Sequence, residues 1–148
     1  MKKIEKILVP IDFSPNSTAL LDTAVMFADK FKAGVHAIFV VQTIQDYSGF
    51  YVPHIPINKL EEDMVQAAEG KMDNFIAEHP GAAAITKKKV IAGEVAEEIL
   101  EYAKREAVDL IIMGTHGYKG LEKILFGSVA EKVVKLAGCP VLTMNPFK

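Results

Sequence analysis

Three glycines and a serine stand at a spacing that suits phosphate binding. Two residues separate Gly114 from Gly117, nine residues separate Gly117 from Gly127, and Ser128 comes next. Gly114 ends an apolar run, and a residue without a side chain lets a ligand approach the main chain closely. Ser128 opens a stretch of helical period, and the free N–H groups of a helix's first turn attract anions. The spacing therefore predicts an anion site between residues 114 and 128.

A purely structural interpretation of the same residues is also open. The glycines can simply turn the chain, and Ser128-Val129-Ala130-Glu131 fits the capping-box pattern, in which Ser128 caps its own helix. The two interpretations are compatible, because a capped helix still directs its first N–H groups outward. The glycine spacing alone does not decide between anion binding and a purely structural role.

A second polar cluster follows the first apolar run of the chain. Ser14-Pro15 predicts the start of a helix, and Asp12 just before it can organise the turn. In parallel sheets ligands bind beyond the carboxyl ends of the strands, so Asp12 and Gly114 are candidates for ligand contact as well. His116 lies in the glycine segment, but no carboxylate is placed by sequence to orient it. We therefore expect a role for His116 in the loop backbone rather than in catalysis.

Five short apolar runs alternate with four stretches of helical period. Predicted strands cover residues 6–11, 35–41, 85–91, 109–114 and 141–144, and predicted helices cover about 17–31, 60–76, 95–103 and 128–136. Residues 42–58 are predicted to form a loop, because prolines interrupt them. Since parallel strands need crossovers of this length, we predict an α/β fold with a single doubly wound parallel sheet and helices on both faces. Residues 1–148 are expected to form one domain.

Two of the predicted strands have the character of sheet edges. The third carries Lys87, Lys88 and Lys89, which a central strand buried on both faces would not tolerate. A phosphate or nucleic-acid contact is the alternative role for these lysines. The last strand, Val141 to Met144, is apolar and uncharged, and an edge of that kind associates unless it is paired. The apolar character of this last strand therefore predicts a homodimer that forms through it.

Composition excludes several classes of protein. The chain has 148 residues, 50% of them hydrophobic, a net charge of -2 and a single cysteine, so disorder, a disulfide and a site of several thiolates are excluded. The charge gives no support to nucleic-acid binding, and the apolar runs are too short to span a membrane. We expect no nucleic-acid or membrane partner and a cytoplasmic location. P-loop, Gly-x-Gly-x-x-Gly and Gly-x-Ser-x-Gly motifs are absent, which argues against those enzyme classes.

The whole chain resembles the ATP-binding branch of the universal stress protein family. The resemblance rests on the opening Ile7-Leu8-Val9-Pro10-Ile11-Asp12-Phe13-Ser14 and on the segment from Gly114 to Ser128, in which the family has Gly, two residues, Gly, nine residues, then Gly with Ser or Thr. It implies an adenine nucleotide alpha hydrolase-like fold with strand order 3-2-1-4-5. In that order the lysine-bearing strand lies at an edge.

The resemblance also implies the positions of a nucleotide site. Asp12 would lie near the ribose or a Mg²⁺ ion held by the phosphates, and Val40 would line the adenine pocket. Gly114, Gly117 and the residues that follow would contact ribose and phosphates, with Lys119 either paired with a phosphate or solvated. The full set implied is Pro10, Asp12, Val40, Met113, Gly114, His116, Gly117, Tyr118, Lys119, Gly127, Ser128 and Val129.

Three functions remain open at this point. The first is an ATP-binding regulatory homodimer with little or no hydrolysis, which acts on an unknown protein partner. The second is a slow ATPase in which Asp12 holds Mg²⁺. The third is a dimeric interaction protein with a vestigial nucleotide pocket. Because no catalytic constellation can be found in the sequence, we name no catalytic residue and favour the first.

Overall fold

The structure, a computed structural model, describes residues 2–43, 57–115 and 127–145. The strands are β1 (Lys6–Pro10), β2 (Gly34–Gln42), β3 (Ile85–Gly93), β4 (Leu110–Gly114) and β5 (Val141–Met144). The helices are α1 (Pro15–Phe31), α2 (Ile57–Glu78), α3 (Val95–Arg105) and α4 (Ser128–Leu136), and a short 3-10 helix, Ala82–Ala84, precedes β3. Each predicted strand and helix is present. Within these described ranges no helix combines the length and apolar character that crossing a membrane requires.

The strands form one parallel sheet in the order β3-β2-β1-β4-β5. Both the doubly wound fold and the predicted strand order are confirmed, and the basic strand β3 lies at an edge. Strand β1 occupies the centre, with Ile7 opposite Val35 of β2 and Leu110 of β4. The strand order reverses at β1, so the carboxyl ends of β1 and β4 lie side by side. This is the place where a doubly wound sheet offers a ligand site.

Helices cover both faces of the sheet, as predicted. One core contains Ile7 and Val9 with buried residues of α1 and α2, and the other contains Leu8 with buried residues of α3 and α4. Successive strand residues point to opposite faces, so a strand covered on both sides must be apolar throughout. This explains why β1, β2 and β4 read as continuous apolar runs.

Some details of the helices differ from the sequence predictions. The sequence predicts Gly34 as the left-handed residue that ends α1, but that residue is Lys32, with φ 58°, and Gly34 already belongs to β2. Helical spacing predicts Phe31 on the apolar face of α1 and Leu136 on that of α4, but both side chains are exposed. The predicted loop over residues 42–58 is shorter at both ends, because β2 includes Gln42 and α2 begins at Ile57. Its residues 44–56 lie outside the described part of the chain.

Asp109 fastens the start of β1 to the chain just before β4. Its Oδ2 accepts hydrogen bonds from the N–H groups of Glu5 (2.9 Å) and Lys6 (3.0 Å), and its Oδ1 lies 3.0 Å from Lys2 Nζ. Burial by itself would raise the pKa of Asp109, but these donors together hold it below its ordinary value. These contacts of Asp109 hold β1 in place between β2 and β4, and so help to determine the position of Asp12 after the strand.

Candidate functional site

Asp12, two residues after β1, is held by its own turn through one carboxylate oxygen. Its Oδ1 accepts hydrogen bonds from Ser14 N (2.9 Å) and Ser17 Oγ (2.8 Å), and its N–H donates to Ser17 Oγ (2.8 Å). No described residue donates to Oδ2. Asp12 can therefore both organise the turn and contact a ligand, because one oxygen is used in the turn and the other remains able to accept a hydrogen bond. Ser17 was missed from sequence, although a serine three residues after Ser14 is a signal for such a turn.

Phe13 carries the backbone strain of this turn. Its φ of 64° lies in the left-handed region, which costs a residue with a side chain roughly 1–2 kcal/mol. The ring packs against Phe39 (centroids 4.6 Å apart) and Phe75 (5.8 Å apart). Such aromatic pairs contribute about 0.5–1.5 kcal/mol each beyond the area they bury, so the two contacts offset the strain. The aromatic cluster thus holds Asp12 and Ser14 at the strand end.

Ser14 begins α1 without capping it through its side chain. Its backbone is extended (φ -77°, ψ 167°), as an N-cap residue requires, but its hydroxyl makes no cap hydrogen bond. The Oγ atom is buried and has no hydrogen-bond partner in the described part of the chain. An unsatisfied buried hydroxyl costs about 1–3 kcal/mol. The turn after β1 thus contains two polar atoms, Asp12 Oδ2 and Ser14 Oγ, that have no hydrogen-bond donor or partner among the described residues.

The start of α4 is fixed at the end of β4 by Thr115. The N–H of Gly127 donates to the Thr115 carbonyl (2.6 Å), and the N–H of Thr115 donates to the Met144 carbonyl at the end of β5 (2.8 Å). The first helical bond of α4 runs from Glu131 N to Gly127 O (2.9 Å). The N–H groups of the three residues between them, 128–130, consequently have no acceptor within the helix. Thr115 was not singled out from the sequence, because its position between Gly114 and Gly117 gives no sign of a structural role.

Two sequence interpretations of this segment need correction. Gly127, not Ser128, is the N-cap of α4, and the predicted capping box does not form; Glu131 pairs instead with Lys135 (2.8 Å). The described glycines have no positive φ, and Gly127 is extended at φ -70°. Gly114 and Gly127 are therefore not required by the backbone conformation. What glycine supplies here is the absence of a side chain, which leaves the main chain approachable.

Four apolar members of the predicted site share one face of the sheet. Val40 and Met113 are buried in the core beneath α3 and α4, and Val129 packs against that core. Pro10 follows Leu8 of the same core by two residues, so strand alternation places it on this face too. The structure thus brings Pro10, Val40, Met113 and Val129 to one side, next to the amino end of α4. His116, Gly117, Tyr118 and Lys119 lie outside the described residues.

The polar groups suit a nucleotide better than a metal bound by the protein alone. Among residues 2–43, 57–115 and 127–145, no group of three or more His, Cys, Asp or Glu side chains could hold a metal ion. A Mg²⁺ ion is commonly held by one or two carboxylates together with substrate phosphates, and Asp12 offers one such oxygen. The free N–H groups of α4 suit phosphate, and the apolar face beside them suits an aromatic base.

Fold and site together define a doubly wound α/β domain with a ligand site at the carboxyl ends of β1 and β4. The model of the universal stress protein family matches residues 3–144. The chain belongs to the universal stress protein family.

Individual relatives agree with this assignment. The universal stress protein MJ0531 of Methanocaldococcus jannaschii is 40% identical, over 97% of this chain and 84% of its own length. The solved structure of MJ0577, from the same organism, has a TM-score of 0.81 and 32% identity, covering 97% of both chains. A universal stress protein of Archaeoglobus fulgidus, solved in complex with dAMP, has a TM-score of 0.65 at 20% identity over 96% of this chain and 98% of its own, which shows the fold alone.

Proposed function

We propose that this protein is an ATP-binding regulatory protein that works as a homodimer and hydrolyses ATP little or not at all. One observation carries the proposal. The neighbouring carboxyl ends of β1 and β4 present an oriented carboxylate, that of Asp12, whose Oδ2 accepts from no described residue, and a helix start whose first N–H groups have no acceptor within the helix. A ribose hydroxyl can donate to the first, and phosphate oxygens can accept from the second.

The residues present fit an adenine nucleotide as a whole. The base would rest on the apolar face formed by Pro10, Val40 and Met113, with the ribose at Asp12 and the phosphates at Ser128 and Val129. Gly127 would contribute open space rather than a donor, because its N–H is already bound to Thr115. A bound nucleotide would supply the negative charge that the dipole of α4 stabilises. The dAMP bound by the Archaeoglobus fulgidus protein supports an adenine nucleotide as the ligand class.

The same geometry favours binding over hydrolysis. Asp12 is tied by Oδ1 to two donors of its own turn, so it is a fixed hydrogen-bond acceptor rather than a mobile base. When ATP is bound with Mg²⁺, Asp12 could also contribute one oxygen to the ion. A regulatory role follows if the bound nucleotide changes how the dimer contacts a further protein.

The first experiment identifies the ligand directly. The purified protein is denatured by heat, and any released nucleotide is identified by chromatography; ATP affinity of the nucleotide-free protein is then measured by calorimetry. We expect ATP to be released or to bind, and single-turnover assays to show little phosphate release. Rapid phosphate release would favour the ATPase alternative. If ATP does not bind at about millimolar concentration, only the dimeric interaction protein with a vestigial nucleotide pocket remains.

A pair of glycine variants tests the placement of the phosphates. Gly127→Val adds a side chain where the phosphates approach, and its extended backbone accepts valine without strain, so ATP affinity should fall about a hundredfold with the fold intact. Gly138→Val is the matched control, because a Cβ atom there meets no atom within 4 Å. It should leave the affinity unchanged. Equal affinities of the two variants would mean that the phosphates do not lie at Gly127.

A further inference from the structure

A basic groove runs between the edge strand β3 and the carboxyl-terminal half of α3. It encloses about 600 Å³. The charged and aromatic residues that line it are Lys87, Lys88, Lys89, Tyr102, Arg105 and Glu106. None of them belongs to the nucleotide site proposed above.

The register of β3 places two of its lysines along one side of this groove. Lys87 lies opposite His36 and Lys89 lies opposite Ile38, and Ile38 belongs to the core beneath α3. Lys88 is on the other face, where its Nζ is 2.7 Å from Asp73 Oδ1 of α2. Lys87 and Lys89 are therefore neighbours on the α3 side, spaced by about 7 Å, as residues two apart in a strand are.

Positive charge in the groove exceeds the negative charge that faces it. Glu106 is paired with Lys87, at 3.3 Å. Arg105 lies over the Tyr102 ring, 5.5 Å from its centroid, and Lys89 makes no ion pair with any described residue. The groove thus presents surplus cations in a chain whose net charge is -2. Charge complementarity points to an anionic partner.

The backbone of β3 offers the means to hold an extended partner. In the described sheet β3 pairs with β2 alone, so alternate N–H and C=O groups along its outer edge have no strand partner. Lysines at an edge discourage pairing with a neutral or basic strand. None of the described strands β1 to β5 contains Asp or Glu, so no strand from a second copy would complement the lysines.

We propose that an acidic, extended segment of another protein adds to the outer edge of β3. Main-chain hydrogen bonds to β3 would hold it, as in other cases of strand addition. Carboxylates at alternate positions of the segment would face Lys87 and Lys89, because a strand directs every second side chain to the same face. The same lysines that prevent self-association thereby select the partner.

A synthetic peptide tests the proposal. The probe is a short labelled peptide with glutamate at alternate positions and threonine between them, titrated with the full-length protein in fluorescence anisotropy. Two control peptides have the same length: one has the same composition with its glutamates in a single block, and the other keeps the alternating pattern but has a central threonine replaced by proline. The alternating peptide should bind at least about tenfold more tightly than either, because the block misplaces the carboxylates and proline removes a backbone donor.

Variants of the protein locate the binding. Lys89→Glu replaces a groove cation on β3 that has no ion pair among the described residues, so the peptide affinity should fall about tenfold, while ATP binding is unchanged. Lys71→Glu, on the exposed surface of α2, makes the same charge change elsewhere and should have no effect on the peptide. Hydrogen exchange should show new protection of β3 amides when the peptide is bound.

Three results would overturn the proposal. Equal affinities for the block peptide and the alternating peptide would reduce the groove to a diffuse positive charge. Binding without new protection of β3 amides would exclude strand addition. Binding of a short single-stranded RNA that Lys89→Glu abolishes, with no binding of the peptide, would assign the groove to nucleic acid instead.

Discussion

At the scale of single residues, the two carboxylate oxygens of Asp12 have different tasks. Oδ1 accepts from Ser14 N and Ser17 Oγ and so shapes the turn after β1, whereas Oδ2 accepts from no described residue. The sequence leaves open whether this aspartate organises a turn or binds a ligand. The geometry shows that the first role does not prevent the second.

A substitution that separates the two tasks follows from this geometry. Asp12→Asn keeps an oxygen for the turn but replaces the other oxygen by an NH₂ group, which cannot accept a hydrogen bond from the ribose. ATP affinity should fall about tenfold with little change in thermal stability. Calorimetric titration with ATP and thermal unfolding measure the two quantities.

The complementary variant is Ser17→Ala, which removes a donor to Asp12 Oδ1 and leaves the carboxylate in place. It should lower the free energy of unfolding by about 1 kcal/mol. If Asp12→Asn binds ATP as tightly as the wild type, Asp12 only organises the turn and does not contact the nucleotide.

At the scale of elements, a buried polar pair joins α3 to the sheet. The hydroxyl of Tyr102 lies 3.0 Å from Nδ1 of His36 on β2, and both side chains are buried. Burial lowers the pKa of His36 below its ordinary value of 6.5, and the nearby Lys87 lowers it further, against an opposing effect of Glu106. The neutral imidazole can accept the hydrogen bond that Tyr102 donates.

The lowered pKa predicts how stability depends on pH. As pH falls below about 6.5, His36 takes up a proton in the unfolded chain while it stays neutral in the folded one, so the free energy of unfolding decreases. His36→Gln keeps a polar group but does not titrate, so it should lose less stability than the wild type between about pH 7.5 and about pH 5.5. Urea unfolding at both pH values measures this difference.

Tyr102→Phe is the control for this prediction. It removes the hydrogen bond but leaves His36 buried, so stability should fall by about 1 kcal/mol at neutral pH and retain its pH dependence. An equal loss of stability on acidification in the wild type and in His36→Gln would show that His36 does not cause it.

At the scale of the whole molecule, the two sheet edges have opposite properties. Strand β3 carries three lysines, whereas β5 is uncharged and none of its residues is fully buried in the single chain. In β4, by contrast, the first four residues are all buried. The partly exposed Val141, Leu142 and Met144 support the proposal that two copies pair through β5, since a second copy would cover this apolar edge.

A charge placed on β5 tests that pairing. Thr143→Lys brings like charges together across a symmetric strand pair, so it should convert a dimer into a monomer at about micromolar concentration. Thr18→Lys makes the same change at an exposed site of α1 and should leave the dimer intact. Sedimentation velocity distinguishes the two states, and a wild-type monomer would contradict the proposal.

The sequence by itself determined the sheet, because both faces of β1, β2 and β4 need apolar residues and an edge strand alone tolerates Lys87 to Lys89. It also located the carboxyl ends at which Asp12 and Gly127 stand. Its errors fall where a local pattern competes with tertiary contacts. Ser128-Val129-Ala130-Glu131 reads as a capping box, but the bond from Gly127 N to Thr115 O begins α4 one residue earlier, and Glu131 pairs with Lys135.

Only the tertiary structure decided which atoms remain available to a ligand. Ser17 donates to Oδ1 of Asp12, and no described residue donates to Oδ2. The N–H of Gly127 is not available to a phosphate, because it already donates to the Thr115 carbonyl. Likewise, the exposure of Leu136 and the groove between β3 and α3 depend on how the helices pack on the sheet. Residue type and periodicity specify what each element buries, whereas a hydrogen bond between distant segments depends on where the whole fold places them.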